Sequence, residues 1–426
     1  MGVMNILRLI ETFSGIGAQA QALTNIGVDF ETVATVEWEL GAIYAYDILH
    51  NGKQDLAPYR HHTKASLVEC LSKYNLSGDG KAPLTNKALN AMSTYYLKQI
   101  LAAINNTNNL VDITSVKASD LPDGDILTYS FPCQDLSVGG NWHHNEGGIN
   151  RNAQNRSTLL WQIERILKEY KQIDKKLPRY LLMENVSAIL SDKHIGNFIE
   201  WCTFLEKLGY VNKILTLDAR DFGLPQFRVR TYMLSIWVEN DAERNMVEDY
   251  LRDNDLEATD NFAVEMQPLK KYLRLDYSDP IYKEEALMST PYYTPSREKI
   301  FNGNPHLAVD DIVSDGEYAR TITTKQDRNP NSGIITFRKD FLSKKNKYYR
   351  NLTPRECFLL MGVKEKDFNR LMANNNFVNK GKRILPDSKL IKLSGNSIAI
   401  PVLEAIFKQV VELEELFEHS TNKIHC

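Results

Sequence analysis

Cys133 is the residue whose type and position point most directly to chemistry. It follows an apolar stretch at 125–131 that predicts a buried strand, with Pro132 before it and Gln134 after it. Open α/β sheets place reactive groups at the carboxyl ends of their strands. A buried, inert cysteine is the ordinary alternative. The polar, glycine-rich sequence at 138–156 favours a reactive residue, because such a loop can close over a site.

Two further segments bring polar side chains to predicted strands. Residues 179–183 form an apolar strand that ends at Glu184. Alternation along a strand at 226–230 would place three donors on one face and two apolar side chains on the other. The donors are Gln226, Arg228 and Arg230, and the inward pair is Phe227 and Val229. A surface ion-pair cluster is the alternative to an acceptor-binding site.

A nucleotide-type opening lies at the N-terminus. A predicted strand at 6–12 leads into the turn FSGIG at 13–17 and then into a helix. Glycines allow a ligand to approach the backbone and the N–H groups of a helix start. Glu37 and Trp38 follow the second strand, where a carboxylate can accept ribose hydroxyls and a ring can pack on adenine. Because the glycine spacing is incomplete, a plain tight turn is the alternative.

Composition restricts the class of protein. The chain has 426 residues, 43% of them hydrophobic and 25% charged, which is typical of a folded protein of two or three domains. No apolar run approaches the roughly 18 residues of a membrane span, and the N-terminus lacks a secretory pattern, so we expect a cytoplasmic protein. Five cysteines without a CxxC pair, and a His143–His144 pair in a loop, predict neither disulfides nor a metal site.

The charges are unevenly distributed along the chain. Residues 239–260 carry nine acids against two arginines, whereas residues 325–350 carry eight Lys/Arg against two Asp. The basic stretch either faces phosphates or is a solvated surface. Residues 50–108 contain apolar positions at helical spacing, and we interpret them as an insertion that covers the sheet rather than as part of a site.

Taken in order, these segments resemble the cytosine-C5 DNA methyltransferase family. The likeness is closest to bacterial enzymes of the type II restriction-modification type, and within them to a subgroup that includes CpG-specific methylases. The motifs that carry it are FSGIG at 13–17, VEW at 36–38, VDI at 111–113, FPCQDLS at 131–137, ENV at 184–186, QFRVR at 226–230, RNLTPREC at 350–357 with LMG at 360–362, and GNSI at 395–398.

The resemblance implies an α/β fold with two domains. The larger would be a class I S-adenosylmethionine-dependent methyltransferase (Rossmann-like) domain at 1–238. The smaller, mostly irregular or β, would be a target-recognition domain at 239–348, with a DNA cleft between the two. Residues 349–426 would carry the last motifs, and a helix at 399–413 would pack back on the first domain.

The implied activity is that of a DNA (cytosine-5-)-methyltransferase acting on a flipped-out cytosine in a specific double-stranded sequence. Cys133 would add to C6 of the base, and Glu184, with a raised pKa, would share a proton with N3. Arg230 and Arg228 would stabilise O2. The base that removes the C5 proton is not visible in the sequence.

The resemblance also implies the binding residues for S-adenosylmethionine, which leaves as S-adenosylhomocysteine. Phe13, Gly15 and Gly17 would hold its methionine end and Glu37 its ribose. The remaining cofactor residues are Trp38, Asp112 and Ile113 at the adenine, Pro132 beneath the sulfonium, Leu159, and Asn396 with Ser397 from the C-terminal motif.

For DNA contacts the same reasoning selects two groups of residues, one in the loop and one in the variable region. The predicted contacts are Gln134, Ser137, Arg151 and Arg156 in the first group and Thr321, Arg328, Arg338 and Lys339 in the second. We expect a monomer. It would be the modification enzyme of a restriction-modification system, an orphan enzyme or a phage enzyme. In the first case, a restriction endonuclease acting on the same sites would be its counterpart.

Three other functions are weighed against this one. The same chemistry on tRNA is the nearest, although the long variable segment at 240–345 favours DNA. A dehydrogenase on the same sheet would need a dinucleotide fingerprint, and the glycine pattern here is incomplete. A DNA-binding regulator without activity would not need the catalytic motifs, all of which stand intact.

Overall fold

A computed structural model describes residues 6–132, 149–151, 156–259, 264–314, 316–337, 348–379 and 381–424. The helices are α1 Ala18–Ile26, α2 Leu40–Asn51, α3 Lys64–Leu71, α4 Asn86–Ala91, α5 Thr94–Asn106, α6 Leu160–Gln172, α7 Ile195–Lys207, α8 Asp241–Asp253, α9 Pro280–Met288, α10 Pro295–Gly303, α11 Pro354–Leu359, α12 Glu365–Asn374, α13 Asp387–Asn396 and α14 Ile400–Ile424. The strands are β1 Leu7–Thr12, β2 Phe30–Val36, β3 Ile126–Tyr129, β4 Tyr180–Asn185, β5 Tyr210–Asp218, β6 Val229–Trp237, β7 His306–Val309, β8 Ile334–Thr336, β9 Tyr349–Asn351, β10 Phe377–Asn379 and β11 Lys382–Arg383.

A six-stranded sheet in the order β2-β1-β3-β4-β6-β5 forms the centre of the molecule. β3 and β4 are buried along their whole length, as continuous apolar strands of a sheet covered on both faces should be. β6 runs antiparallel to β4, so it enters the sheet at the edge where β4 ends. The carboxyl ends of β1 to β4 and the start of β6 therefore share one edge.

Helices cover both faces of this sheet, which confirms the predicted α/β fold. The first core lies beneath α1, α2 and α5, and a separate apolar cluster lies beneath α6 and α7. α14 packs against α1, and Leu403, Phe407 and Val410 are buried in the first core. The helix expected at 399–413 thus lies on the first domain and continues to residue 424.

A smaller core, called the second core below, lies outside the central sheet and surrounds the three-stranded sheet β7-β8-β9. It joins Leu307 and Ile335 to Leu352 and Leu360, so chain on both sides of residue 349 contributes to it. α8 instead packs on β5 and α14, with Val247 in the first core. The first core therefore takes in chain beyond residue 238, and the second core takes in chain beyond residue 348.

One apolar segment is longer than the sequence analysis expected. Asp387–Ser420 is long and apolar enough to cross a membrane by length and composition alone. Of its most apolar 18-residue window, however, 67% is buried inside the molecule. This is how the core helix of a folded domain is placed, and α14 fills that position against α1.

Candidate active site

A cavity of about 400 Å³ opens at the shared edge of the sheet. Its volume falls within the roughly 300 to 1,000 Å³ of small-molecule sites. It collects most of the residues predicted to act on the cofactor or the base. Its lining includes Phe13, Gly15, Glu37, Trp38, Asp112, Ile113, Pro132, Leu159, Glu184, Arg228, Arg230, Asn396 and Ser397.

The glycine turn after β1 forms one end of the cavity. Phe13 and Gly15 both have left-handed backbone conformations, with φ of 56° and 55°. The Phe13 N–H donates to the Val36 carbonyl at 2.8 Å, which joins the ends of β1 and β2. Gly17 is absent from the lining, contrary to its predicted role. A Cβ there would lie 2.2 Å from His50 Nε2, so this glycine permits close packing of the turn on α2.

Glu37 is held at the end of β2 by main-chain donors. Its carboxylate accepts the N–H of Gly15 at 3.1 Å and that of Glu39 at 2.8 Å. Burial raises the pKa of Glu37 to about 7. Asn109, which the sequence analysis missed, accepts the N–H groups of Glu37 at 3.0 Å and Val111 at 2.9 Å. The sequence signal for this residue was its place two positions before the VDI motif at 111–113.

Asp112 lies across the cavity from the glycine turn, after an unusual backbone conformation. Val111 has φ of 66°, which is rare for a β-branched residue and persists only where the surroundings fix it. One Asp112 oxygen accepts the N–H and the hydroxyl of Thr114, both at 2.9 Å. The other accepts the amide of Asn75 at 2.6 Å.

Asn75 belongs to the insertion, which the sequence analysis did not expect to reach a site. The loop between α3 and α4 contributes Asn75, Asp79, Gly80 and Lys81 to the cavity wall. Elsewhere the insertion is helical, as the apolar spacing indicated, and its helices include α4 and α5, of which the second is capped by Ser93. The interpretation of residues 50–108 as outside the site was therefore wrong for this loop.

Glu184 and Arg230 form an ion pair at the opposite end of the cavity. Arg230 Nε lies 3.4 Å from Glu184 Oε1, and the glutamate is only 9% exposed. Burial raises the pKa of Glu184, and the positive charges of Arg230 and Arg228 act against that shift. The pairing follows from the register of β4 and β6, which sets Glu184 opposite Tyr232, two residues after Arg230.

Arg228 has a different environment from the one predicted. Its guanidinium donates to three main-chain carbonyls, those of Ile322 at 3.2 Å, Gly395 at 3.2 Å and Ser397 at 2.6 Å. The side chain is buried and joins the sheet to two distant segments. This geometry makes Arg228 a positioning residue for the end of the cavity, with an electrostatic effect on Glu184.

The predicted strand alternation at 226–230 was wrong, because β6 begins only at Val229. Gln226 is buried and bridges two segments, donating to the Leu360 carbonyl at 2.7 Å and accepting the Ile322 N–H at 3.0 Å. Phe227, expected to pack inward, is 42% exposed. The segment before β6 therefore turns its polar side chains inward to satisfy main-chain groups of the second core.

Cys133 lies outside the described residues, but the peptide that precedes it is well held. Asn185 Nδ2 donates to the Phe131 carbonyl at 3.1 Å, and Ser157 Oγ donates to the Pro132 carbonyl at 2.9 Å. Neither residue was predicted as a site residue. Asn185 had a signal in its place beside Glu184, whereas Ser157 had none in the sequence.

The predicted DNA contacts are divided by the structure. Gln134, Ser137, Arg338, Lys339 and the side chain of Arg156 lie outside the described residues. Arg151 pairs with Glu164 at 2.6 Å and Glu200 at 2.8 Å, and its guanidinium lies 3.7 Å from the centre of the Trp161 ring. Thr321 donates to the Phe227 carbonyl at 2.7 Å. Arg328 is exposed and pairs with neighbouring Asp327 at 3.0 Å.

Within the described part of the chain, no group of three or more His, Cys, Asp or Glu side chains is placed to hold a metal ion.

Comparison with known proteins gives a family and a fold. A sequence model described as C-5 cytosine-specific DNA methylase matches residues 86–412. The chain is 31% identical over 422 residues to the type II methyltransferase M2.ScrFI of Lactococcus lactis subsp. cremoris, covering 95% of this chain and 99% of the relative. It is also 31% identical over 419 residues to the orphan methyltransferase M.SssI of Spiroplasma monobiae, covering 95% and 97%.

Among solved structures, the S. pombe Dnmt2 methyltransferase superposes with a TM-score of 0.57 at 18% identity, over 96% of this chain and 99% of that one. An Entamoeba histolytica methyltransferase, EhMeth, gives 0.54 at 15% identity. At these identities the likeness describes the fold.

Proposed function

This chain belongs to the C-5 cytosine-specific DNA methylase family, and we propose that the cavity at the sheet edge methylates cytosine with Cys133 as nucleophile. The chain is a DNA (cytosine-5-)-methyltransferase. One observation carries the site assignment: the Glu184–Arg230 pair, the peptide before Cys133 and the glycine turn all line one cavity. The family match favours neither the tRNA alternative nor the dehydrogenase.

The chemistry requires a nucleophile because C5 of cytosine is itself a poor one. Addition of the Cys133 thiolate to C6 would load electron density onto C5. S-adenosylmethionine, when bound, supplies the electrophilic methyl group. Asn185 and Ser157 hold the Phe131 and Pro132 carbonyls, and this restricts where Cys133 can lie. Arg230 lines the same cavity as Pro132, and a cation there would favour a thiolate over a thiol.

Glu184 and Arg230 would handle the charge that addition creates on the base. Because burial raises the pKa of Glu184, its carboxyl can hold a proton and share it with N3. Arg230, fixed beside it, can stabilise the negative charge that develops at O2. Arg228 would position the cavity wall rather than contact the base, because its guanidinium donates to main-chain carbonyls.

The residues at the other end of the cavity fit the cofactor. Left-handed Phe13 and Gly15 form a turn that a ligand can approach closely, and Glu37 presents a carboxylate suited to ribose hydroxyls. Trp38, Asp112 and Ile113 would bind the adenine. Pro132, Leu159, Asn396 and Ser397 complete the wall, so the cofactor would lie between the glycine turn and the catalytic pair.

The substrate is DNA, and C5 and C6 of a stacked cytosine are not reachable inside a duplex. The target base would therefore be rotated out into the cavity, with the second core facing the groove where base pairs can be distinguished. The proposed enzyme would act on DNA in the cytoplasm as a monomer. A restriction endonuclease acting on the same sites would be its counterpart, without direct contact.

Bisulfite sequencing tests this function. DNA from a methylation-free host expressing the wild-type chain should carry 5-methylcytosine at one fixed motif. Cys133→Ala should reduce methylation at least about a thousandfold, because no other group replaces the nucleophile. Retained binding of S-adenosylhomocysteine would show that the variant is folded. Methylation by Cys133→Ala at the wild-type rate would disprove the assignment of the nucleophile.

A further inference from the structure

The insertion loop at residues 75–81 is built into the end of the second strand. The Ser77 N–H donates to the Trp38 carbonyl at 2.7 Å, and the Leu40 N–H donates to the Ser77 carbonyl at 2.9 Å. The Ser77 hydroxyl is buried and closes the loop, donating to the Ala82 carbonyl at 2.7 Å and accepting the Gly80 N–H at 3.0 Å. The loop is thus an ordered wall beside Trp38.

A lysine from the far end of the chain fastens this wall. Lys392, on α13, lies 2.6 Å from Glu39 Oε2 and donates to the Asp79 carbonyl at 2.5 Å. Gly80 passes beneath it with φ of 73°, and a Cβ there would lie 3.4 Å from both Glu39 Oε2 and Lys392 Nζ. One ammonium group therefore joins β2, the insertion and the C-terminal motif at the rim of the cavity.

Asn75 places a second polar group in the same wall. Its Nδ2 donates to Asp112 at 2.6 Å, while the other Asp112 oxygen is occupied by Thr114. The Asp112 carboxylate is therefore oriented from both sides. Asn75 lines the cavity, and its Oδ1 is the acceptor that this amide can offer to a ligand.

We propose that residues 75–81 form an adenosine-binding wall, in which Asn75 orients Asp112 and accepts the exocyclic amine of adenine, and Lys392 fastens the loop. The inference rests on the proposed function, in which Glu37 takes the ribose. Trp38, Asp112 and Asn75 line the same cavity as Glu37, and the Asn75–Asp112 and Ser77–Trp38 hydrogen bonds hold the loop against the residues proposed to bind adenine. The insertion is then part of the cofactor site.

Calorimetric binding tests the proposal without relying on turnover. The two probes are S-adenosylhomocysteine and 5′-methylthioadenosine, which share adenosine but differ in the amino-acid portion. Asn75→Ala should weaken both about fivefold to tenfold and by the same factor, as expected for one lost hydrogen bond and a less ordered acceptor. Lys392→Met should weaken both similarly, and Lys392→Arg should restore much of the loss.

Matched controls lie on the same insertion. Asn86→Ala and Lys87→Met change exposed residues of α4 outside the cavity, and both should bind the probes as the wild type does. In steady-state methylation, Asn75→Ala should raise the KM for S-adenosylmethionine while the KM for DNA stays constant. A purely structural role would instead alter both.

Two results would contradict the proposal that residues 75–81 bind adenosine. One is wild-type affinity for both probes in Asn75→Ala and Lys392→Met. The other is a loss confined to S-adenosylhomocysteine, which would move the loop to the methionine end. Failure of the function itself looks different, because the wild-type chain would then neither bind the probes nor methylate DNA.

Discussion

Two regions of the molecule differ in what their buried polar side chains bind. They are the cofactor edge, which is the edge of the central sheet at the cavity, and the second core. At the cofactor edge, Asn109 and Asn185 bond to main-chain groups and hold short loops against the cavity. In the second core, by contrast, two charged side chains of neighbouring elements satisfy each other away from solvent. Arg350 binds Glu356 through two hydrogen bonds at 2.7 and 2.8 Å, and both side chains are fully buried.

This difference bears on the charge count of the basic stretch 325–350. Arg350 was one of the eight basic residues of the stretch 325–350, yet it contacts Glu356 and Tyr277 inside the second core. Arg355 likewise binds Glu285 and Glu365. A basic side chain beside a buried carboxylate stabilises the fold and is not available to phosphates.

The largest expected effect lies at the catalytic pair. Glu184→Gln should lower kcat by about 10² to 10⁴, because the amide cannot give a proton to N3. Wild-type kcat should fall as pH rises through the raised pKa of Glu184, since the protonated form is lost, and this limb should vanish in the variant. Single-turnover rates across a pH series measure both, with exposed Glu200→Gln as control. An unchanged limb in Glu184→Gln would assign it to another group.

The buried pair of the second core should give the largest effect on stability. Arg350→Met leaves Glu356 charged and buried, which costs about 3 to 5 kcal/mol when a buried pair is broken. Urea unfolding measures the loss. Arg244→Met removes an exposed pair with Glu248 and should leave the midpoint unchanged. Equal midpoints for the two variants would contradict the contrast between the regions.

A smaller effect should appear in the pH dependence of cofactor binding. Glu37, with a pKa of about 7, is largely protonated below that pH, whereas ribose hydroxyls donate best to the ionised form. Affinity for S-adenosylhomocysteine should therefore fall as pH drops below about 7, by at most about tenfold per unit. Glu37→Gln should bind more weakly without this dependence.

Glu11 provides the matched control for that experiment. Burial raises its pKa to about 7 as well, but it accepts a hydrogen bond from Tyr46 and lies outside the cavity lining. Glu11→Gln should keep the pH dependence of binding. If Glu11→Gln removed it and Glu37→Gln kept it, Glu37 would not be the ribose-binding group.

The smallest effect concerns two of the arginines predicted to contact DNA, Arg328 and Arg151. Arg328→Ala should weaken DNA binding a fewfold and reduce the salt dependence by about one ion, because its side chain is 58% exposed. Arg151→Ala should leave the salt dependence unchanged, since Arg151 is held by Glu164, Glu200 and Trp161. Fluorescence anisotropy at several salt concentrations measures both, and the reverse order would contradict the assignment.

Much of the cavity lining could be predicted because its residues lie in short segments that directly follow predicted strands. Glu37 follows its strand directly, and Phe13 and Gly15 lie in one short turn. The roles of Asn75 and Lys392 could not be predicted, because their partners are distant in sequence. Asp112 lies 37 residues from Asn75, and Glu39 lies 353 residues from Lys392. The prediction that Phe227 packs inward was wrong for a related reason. Gln226 and Arg228 turn inward to donate to carbonyls of distant segments, so Phe227 does not.

The sequence by itself determined the α/β fold, the family and the order of the motifs, since strand patterns and short turns depend on neighbouring residues. Only the tertiary structure decided which polar groups share the cavity. It made Arg228 a positioning residue, buried Arg350 against Glu356, and brought the insertion to the cofactor edge. The physical reason is that a buried charge or amide must find a partner, and packing selects that partner from anywhere in the chain.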